Sequence, residues 1–219
     1  MTLQRGVREI KADAVRARLI EGVVAVLDDG RPLTFKEVAV EANVPERTVY
    51  RYFPTRTALL AAVFEWTNDQ IGYEGPRPTT EAGLLQMIRR AFRGFDDHAA
   101  IVRQMLIEPD GRRARVTDVE ERRRAAIALV QNEAPDLDPA MRHRVAAAVQ
   151  VLTVAATWQS LHEYWDLDGA EAAETSALAI ELILEAARAR SHDPQPTESE
   201  TRDATHTRPQ PRRRAHREP

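Results

Sequence analysis

The residues best suited to contact another molecule lie in one short stretch of the chain, residues 34–53. Its apolar spacing predicts two short helices, and Val49 and Phe53 of the second helix are expected to turn toward a core. That leaves an outward face of guanidinium, hydroxyl and phenol groups, which suits hydrogen bonding to DNA phosphates and base edges. The residues of this face are Arg47, Thr48, Tyr50, Arg51 and Tyr52.

A tight turn is expected to join the two helices at Asn43, because asparagine tolerates the left-handed backbone conformation better than most residues. Val44 is expected to fill the joint, and Pro45 suits the start of the second helix. The first helix carries small and apolar residues that we expect to face inward, namely Val38, Ala39 and Ala42. The whole pattern is typical of a helix-turn-helix.

The stretch resembles the signature of the TetR family of bacterial transcriptional regulators, roughly T-x-x-x-[IV]-A-x-x-A-G-V-[ST]-x-x-T-[LV]-Y-x-[HY]-F-x-x-[KR]-x-x-L. The chain departs from it at Asn43, where glycine is usual, and at Pro45, where a small hydroxyl residue is usual. Both departures are compatible with the geometry of the motif. The residues in register are Thr34, Val38, Ala39, Ala42, Val44, Thr48, Val49, Tyr50, Tyr52, Phe53, Arg56 and Leu59.

The resemblance implies roles for the second helix in reading DNA. Arg47 and Thr48 would reach base edges in the major groove, and Arg47 suits bidentate pairing with guanine. Tyr50 and Tyr52 would bind phosphates through their hydroxyl groups, and Arg51 would contact either bases or phosphates.

Three further residues are implied to hold the DNA backbone. Thr34 and Lys36 start the first helix of the motif, whose amide dipoles favour phosphate, and Arg56 matches a basic phosphate clamp of the family. Each arginine taken singly is equally well explained as a solvated surface residue. Taken together in this register, the residues favour DNA binding.

Composition narrows the class of protein. The net charge of −3 predicts no global basic field, and the absence of cysteine excludes disulfides, thiolate metal sites and thiol nucleophiles. His98, His143 and His162 lie on separate predicted helices, so we expect no metal or other cofactor. The sequence has no glycine-rich phosphate loop and no nucleophile elbow, so we expect no enzyme activity. No apolar run is long enough to span a membrane, which predicts a cytoplasmic protein.

The sequence predicts an all-α fold of about nine helices, with an N-terminal three-helix bundle followed by a larger helical domain. Two predictions concern continuity: Pro109, Asp110 and Gly111 should end a helix, and one long helix should span residues 138–165. The expected divisions are a DNA-binding domain over residues 1–60, an effector-binding and dimerisation domain over residues 61–190, and a disordered tail over residues 191–219.

The last two predicted helices carry apolar residues on more than one face. In the final helix, Ala177 and Ile180 lie on one stripe and Leu178 and Leu182 on another. A helix that is apolar on two sides must be buried on both. The family resemblance implies that a second copy covers the outer side, which predicts a homodimer on an inverted-repeat DNA site with recognition helices about 34 Å apart.

A small-molecule effector is implied by the same resemblance. Its pocket is expected within the helical bundle, among Met87, Phe92, Phe95, Met105 and Trp158. The alternative for each of these residues is that it simply fills the core. Bound effector would shift the helix that starts at Arg56 and release the DNA.

Other functions stay open at this point. A helical ligand carrier or enzyme with an incidental helix-turn-helix would need a catalytic constellation in the second half, and none is evident. An architectural DNA binder would show more positive charge and a smaller helical domain. The sequence is compatible with activation of transcription as well as with repression. Repression is the more common role in the family.

Overall fold

The structure of the chain is a computed structural model that describes residues 6–71, 76–115 and 119–192. The regular structure of these ranges is entirely α-helical, which confirms the predicted fold class. The described ranges hold eleven helices rather than about nine. They are α1 (Val7–Asp28), α2 (Phe35–Glu41), α3 (Glu46–Tyr52), α4 (Arg56–Gln70), α5 (Glu81–Asp97), α6 (Ala99–Ile107), α7 (Pro109–Arg115), α8 (Val119–Glu133), α9 (Pro139–Val151), α10 (Ala155–Trp165) and α11 (Gly169–His192).

The prediction that Pro109, Asp110 and Gly111 end a helix is confirmed, because α6 ends at Ile107, but the helix α7 that starts at Pro109 was not predicted. Glu108 is extended (ψ 134°) and ends α6, as expected for a residue before proline, and Pro109 then begins α7. Proline is well suited to the first helical position because its missing N–H would have no helical partner there. The signal that ended one helix also starts the next.

The prediction of one helix over residues 138–165 was wrong, because the chain is extended at Val154 (φ −96°, ψ 155°) between α9 and α10. The Thr153 hydroxyl donates to the Gln150 carbonyl at 2.8 Å, and the Thr157 hydroxyl donates to the Val151 carbonyl. The two hydroxyl groups add hydrogen bonds to carbonyls at the end of α9, and the Gln150 carbonyl also accepts from the Thr153 N–H at 3.1 Å.

The N-terminal core is formed by α1, α2, α3 and the first half of α4. Leu19, Val23 and Val26 in the C-terminal half of α1 are buried in it, whereas Ile10 near the start of the helix is exposed. The N-terminal turns of α1 extend past the helices that bury the rest. Ile101 of α6 belongs to the same cluster, which joins this core to the rest of the bundle.

The larger core lies among α5, α8, α9, α10 and α11, with Trp158 fully buried in it. The Trp158 indole donates to Asp96 Oδ1 at 2.8 Å, and Asp96 Oδ2 accepts from the backbone N–H of Gly169 at 2.5 Å. One carboxylate therefore ties α5 to α10 and to the start of α11. None of the helices in the described ranges is long and apolar enough to cross a membrane.

Three charged residues form a network that joins α5, α8 and α11. Arg188 of α11 donates to the carboxylates of both Glu81 and Glu133, and Glu133 also accepts from the backbone N–H of Glu81 at 2.9 Å. The pKa of Glu133 is lowered, first by that backbone hydrogen bond and then by the Arg188 guanidinium. The network joins the start of α5 to the end of α8 and to α11. Residues 193–219, most of the predicted tail, lie outside the described residues.

We predict that Gly169→Ala destabilises the fold. A Cβ atom at Gly169 would lie 2.3 Å from the backbone oxygen of Phe92, so α5 and α11 must separate. Such overpacking costs about 1–3 kcal/mol, measured as a lower urea midpoint. Gly6→Ala is the control, because an added Cβ there meets nothing within 4 Å. Equal midpoints for the two variants would contradict the close approach of α5 and α11.

Candidate DNA interface and effector cavity

The turn of the helix-turn-helix has the predicted backbone. Asn43 adopts the left-handed conformation with φ 50°, between α2 and α3. The N–H of Val44 donates to the Ala39 carbonyl at 3.0 Å and closes the turn. At the start of α2, the Thr34 hydroxyl accepts from the Glu37 N–H at 3.1 Å, which caps the helix.

The inward face of the motif is buried as predicted. Ala42 lies where α1 crosses α2, since a Cβ atom at Gly22 would come within 3.3 Å of it. Small residues at this crossing permit a close approach of the two helices. The buried residues of the motif are Val38, Ala39, Ala42, Val49 and Phe53.

The predicted DNA-contacting residues of α3 differ in exposure. Arg47 and Arg51 are exposed, and Tyr50 is 52% exposed, whereas Thr48 and Tyr52 are half-buried. The Arg51 guanidinium lies 5.3 Å from the centre of the Tyr52 ring, a cation–π arrangement that orients both side chains.

An aromatic contact joins the start of α2 to the outer face of α3. The rings of Phe35 and Tyr50 meet edge to face with centroids 4.6 Å apart. Thr34 and Lys36, which flank Phe35, are both exposed. The structure therefore brings the predicted contacts of α2 beside those of α3.

Arg56, predicted as a phosphate clamp, lies at the junction of the two cores. Its guanidinium donates to the Leu33 carbonyl and to Glu108 Oε1, the latter at 3.1 Å. The neighbouring Thr57 hydroxyl donates to Asp110 Oδ1 at 2.7 Å, and this bond is the main cause of the lowered pKa of Asp110. The sequence motif gave no indication of these partners, which come from the α6–α7 segment more than 50 residues away.

A cavity of about 260 Å³ lies among helices α4, α5, α6, α8, α9 and α10. Three of the predicted residues, Met87, Phe95 and Met105, line it. The other two, Phe92 and Trp158, are fully buried in the core beside it, where the Trp158 ring packs edge to face on Phe95 at 5.7 Å. The remaining described lining residues, which sequence reasoning missed, come from α4, α5, α6, α8, α9 and α10, from Ile71 and from the segments at 77–78 and 153–154.

Comparison with known proteins bears on the helix-turn-helix directly. The family described as "Bacterial regulatory proteins, tetR family" matches residues 31–63, which run from the loop before α2 into α4.

The helix-turn-helix of this chain is therefore similar in sequence to that of the TetR family.

A solved structure has the same fold. It is the crystal structure of a tetR-family transcriptional regulator from Streptomyces coelicolor, which is 18% identical to this chain. The match covers 91% of this chain and 97% of the other, with a TM-score of 0.59. No curated protein matches the chain. The family match covers the helix-turn-helix, which supports DNA binding, and the structural match supports the fold alone.

The turn between α2 and α3 allows a direct test at Asn43, the position where the TetR signature usually has glycine. We predict that Asn43→Gly keeps the stability of the chain, because glycine adopts positive φ without steric cost. Asn43→Val should lower the free energy of unfolding by about 1–2 kcal/mol in urea denaturation. Val40→Ala, at an exposed helical position of α2, is the control and should change little. A stable Asn43→Val variant would contradict the left-handed turn.

Proposed function

We propose that this chain is a sequence-specific repressor of the TetR family, which a small-molecule effector releases from an inverted-repeat DNA site. The observation that carries the proposal is the outer face of α3, where Arg47, Tyr50 and Arg51 are exposed on a helix fixed by a capped and buried partner. Such a face provides hydrogen-bond donors to both phosphates and base edges. With its target in DNA, we expect the protein to act in the cytoplasm and without enzyme activity.

Within this proposal the roles of the side chains follow from their placement. Arg47 and Thr48, in the first turn of α3, would read base edges in the major groove. Tyr50 and Tyr52 would contact phosphates from the same helix, and Arg51 would contact either bases or phosphates. Thr34 and Lys36 would contact the adjacent phosphates from the start of α2, and Arg56 would add a contact by exchanging Glu108 for phosphate.

Dimerisation through the last two predicted helices is supported by an exposed apolar surface, which we call the α10–α11 face. Its largest members, Tyr164 and Trp165, are 79% and 73% exposed at the end of α10. Leu178 and Leu182 of α11 are 59% and 56% exposed, one turn apart. Large apolar groups exposed on two neighbouring helices are typical of an interaction site, and two copies of this face would bury each other in a two-fold dimer.

Release by an effector is supported by the position of α4. Phe64 and Thr67 of α4 line the cavity, whereas Leu59 and Leu60 of the same helix pack in the N-terminal core. A ligand that fits the cavity better after a shift of α4 would favour the arrangement that cannot bind DNA. Repression rather than activation is proposed because it is the simplest outcome of such release.

The DNA-binding proposal predicts that purified protein enriches an inverted repeat from genomic fragments. Arg47→Ala should weaken binding to that repeat by about tenfold to a hundredfold, since a bidentate arginine–guanine pair contributes about 1–3 kcal/mol of discrimination. Binding is measured by fluorescence anisotropy at one fixed salt concentration, because phosphate contacts depend strongly on salt.

Arg90→Ala is the matched control, since Arg90 is exposed on α5, outside the helix-turn-helix. It should bind the repeat as the wild type does. If no sequence is enriched, or if Arg47→Ala and Arg90→Ala bind equally, the assignment of α3 as a sequence-reading helix is wrong.

The dimer proposal predicts that Leu182→Glu yields a monomer in size-exclusion chromatography with light scattering. A charge placed at the centre of an apolar interface must be desolvated without a partner, which disfavours association. Ile10→Glu is the control, because Ile10 is equally exposed, at 56%, but lies on α1. A Leu182→Glu chain that stays dimeric would move the interface away from the α10–α11 face.

A further inference from the structure

Among the residues that the structure describes, the charged side chains that line the cavity are all of one sign. Both charged residues that line it are arginines, Arg77 in the segment before α5 and Arg122 on α8, and each is half-buried. The described lining residues include no aspartate and no glutamate. Most of the wall is apolar, with Phe64, Leu84 and Phe95 among its larger side chains.

This wall discriminates between ligand charges. A cationic ligand would lose its hydration and find no carboxylate among the described lining residues, which is costly in an apolar site. A carboxylate would find guanidinium groups, which bind it with short, charge-assisted hydrogen bonds. A guanidinium has five N–H donors, so Arg77 and Arg122 can each bind a ligand oxygen while keeping a contact with the protein.

The uncharged polar residues of the wall are few. The Thr67 hydroxyl donates to the Val63 carbonyl and the Thr153 hydroxyl to the Gln150 carbonyl, each at 2.8 Å, so their hydrogens are already engaged. Asn68 and Gln150 add two side-chain amides. A wall of this composition matches a ligand with one small polar group and an otherwise apolar body.

We propose that the cavity binds a hydrophobic monocarboxylic acid, with its carboxylate on Arg77 or Arg122 and its apolar body against α4, α5 and α6. The proposal rests on the cavity being the effector site proposed above. Its volume of about 260 Å³ is close to the lower end of small-ligand pockets, which suits a single aliphatic or aromatic acid rather than a large conjugate.

The test compares three probes of equal chain length that differ only in the head group: decanoate, decanol and decylammonium. Each is titrated into the full-length protein by isothermal calorimetry near neutral pH, without DNA. Decanoate should bind at least about tenfold more tightly than decanol, because hydrogen bonds to charged groups exceed neutral ones by that order. Decylammonium should bind most weakly.

Variants assign the head-group site. Arg77→Gln or Arg122→Gln should weaken decanoate about tenfold and leave decanol unchanged. Arg124→Gln is the control, because Arg124 is exposed on the same helix and donates to the Glu120 carbonyl. Ala126→Leu, which adds volume to the wall, should weaken decanoate and decanol alike, and circular dichroism checks that each variant keeps its helices.

The proposal is overturned if decanol or decylammonium binds as tightly as decanoate, if none of the three binds, or if neither arginine variant lowers the affinity for decanoate. Failure of the proposed function gives a different result. If decanoate binding depends on an arginine but no DNA repeat is enriched, the acid site stands and the regulator assignment fails. If a repeat is enriched but the head-group order is reversed, only the ligand class fails.

Discussion

Helix α4 imposes the constraint on which the other parts of the molecule depend, because it packs in one core and lines the cavity of the other. Leu59, Leu60 and Val63 are fully buried with α1, α2 and α3, so the first half of α4 is part of the N-terminal domain. Phe64 and Thr67, at the next positions along the helix, border the cavity. Interiors are close-packed, so a rigid helix cannot adjust to a ligand at one end without displacing its neighbours at the other. This shared helix gives the proposed effector a physical route to α3.

Polar contacts also hold the start of α4 to the segment that joins α6 and α7. Arg56 and Thr57 bind Glu108 and Asp110, which lie on either side of the break between α6 and α7. Met105, in the last turns of α6, lines the cavity. The carboxylates therefore hold the first turn of α4 to a segment that a bound ligand would touch. These pairs are partly exposed, so their value lies in fixing geometry rather than in stability.

The helix-turn-helix was predictable because each of its determinants is local. Thr34 caps its own helix, Asn43 supplies its own turn, and the buried and exposed faces alternate within 20 residues. The cavity was only partly predictable, because its wall joins residues from separate helices, and nothing in the sequence distinguishes Phe95, which lines it, from Phe92, which does not. Val154 is extended and separates α9 from α10. Neither glycine nor proline marks this break in the sequence, because threonine hydroxyl groups stabilise it instead.

Helix α11 carries apolar side chains on two sides, and this bears on what must cover its outer side. Small residues such as Ala173 and Ala177 face inward, where Gly169 also permits close contact with α5. Ile180 and Leu184 are fully buried on the same inner side, whereas Leu178 and Leu182 point outward. Burying a leucine side chain fully contributes about 1.5–3 kcal/mol of favourable free energy. A single chain does not obtain this contribution from Leu178 and Leu182 in full, because both remain largely exposed. In a two-fold dimer, both copies would bury these leucines in the same interface. The dimer would also fix the separation of two α3 helices, so that a shift of α4 in either copy changes their fit to a repeat with fixed spacing.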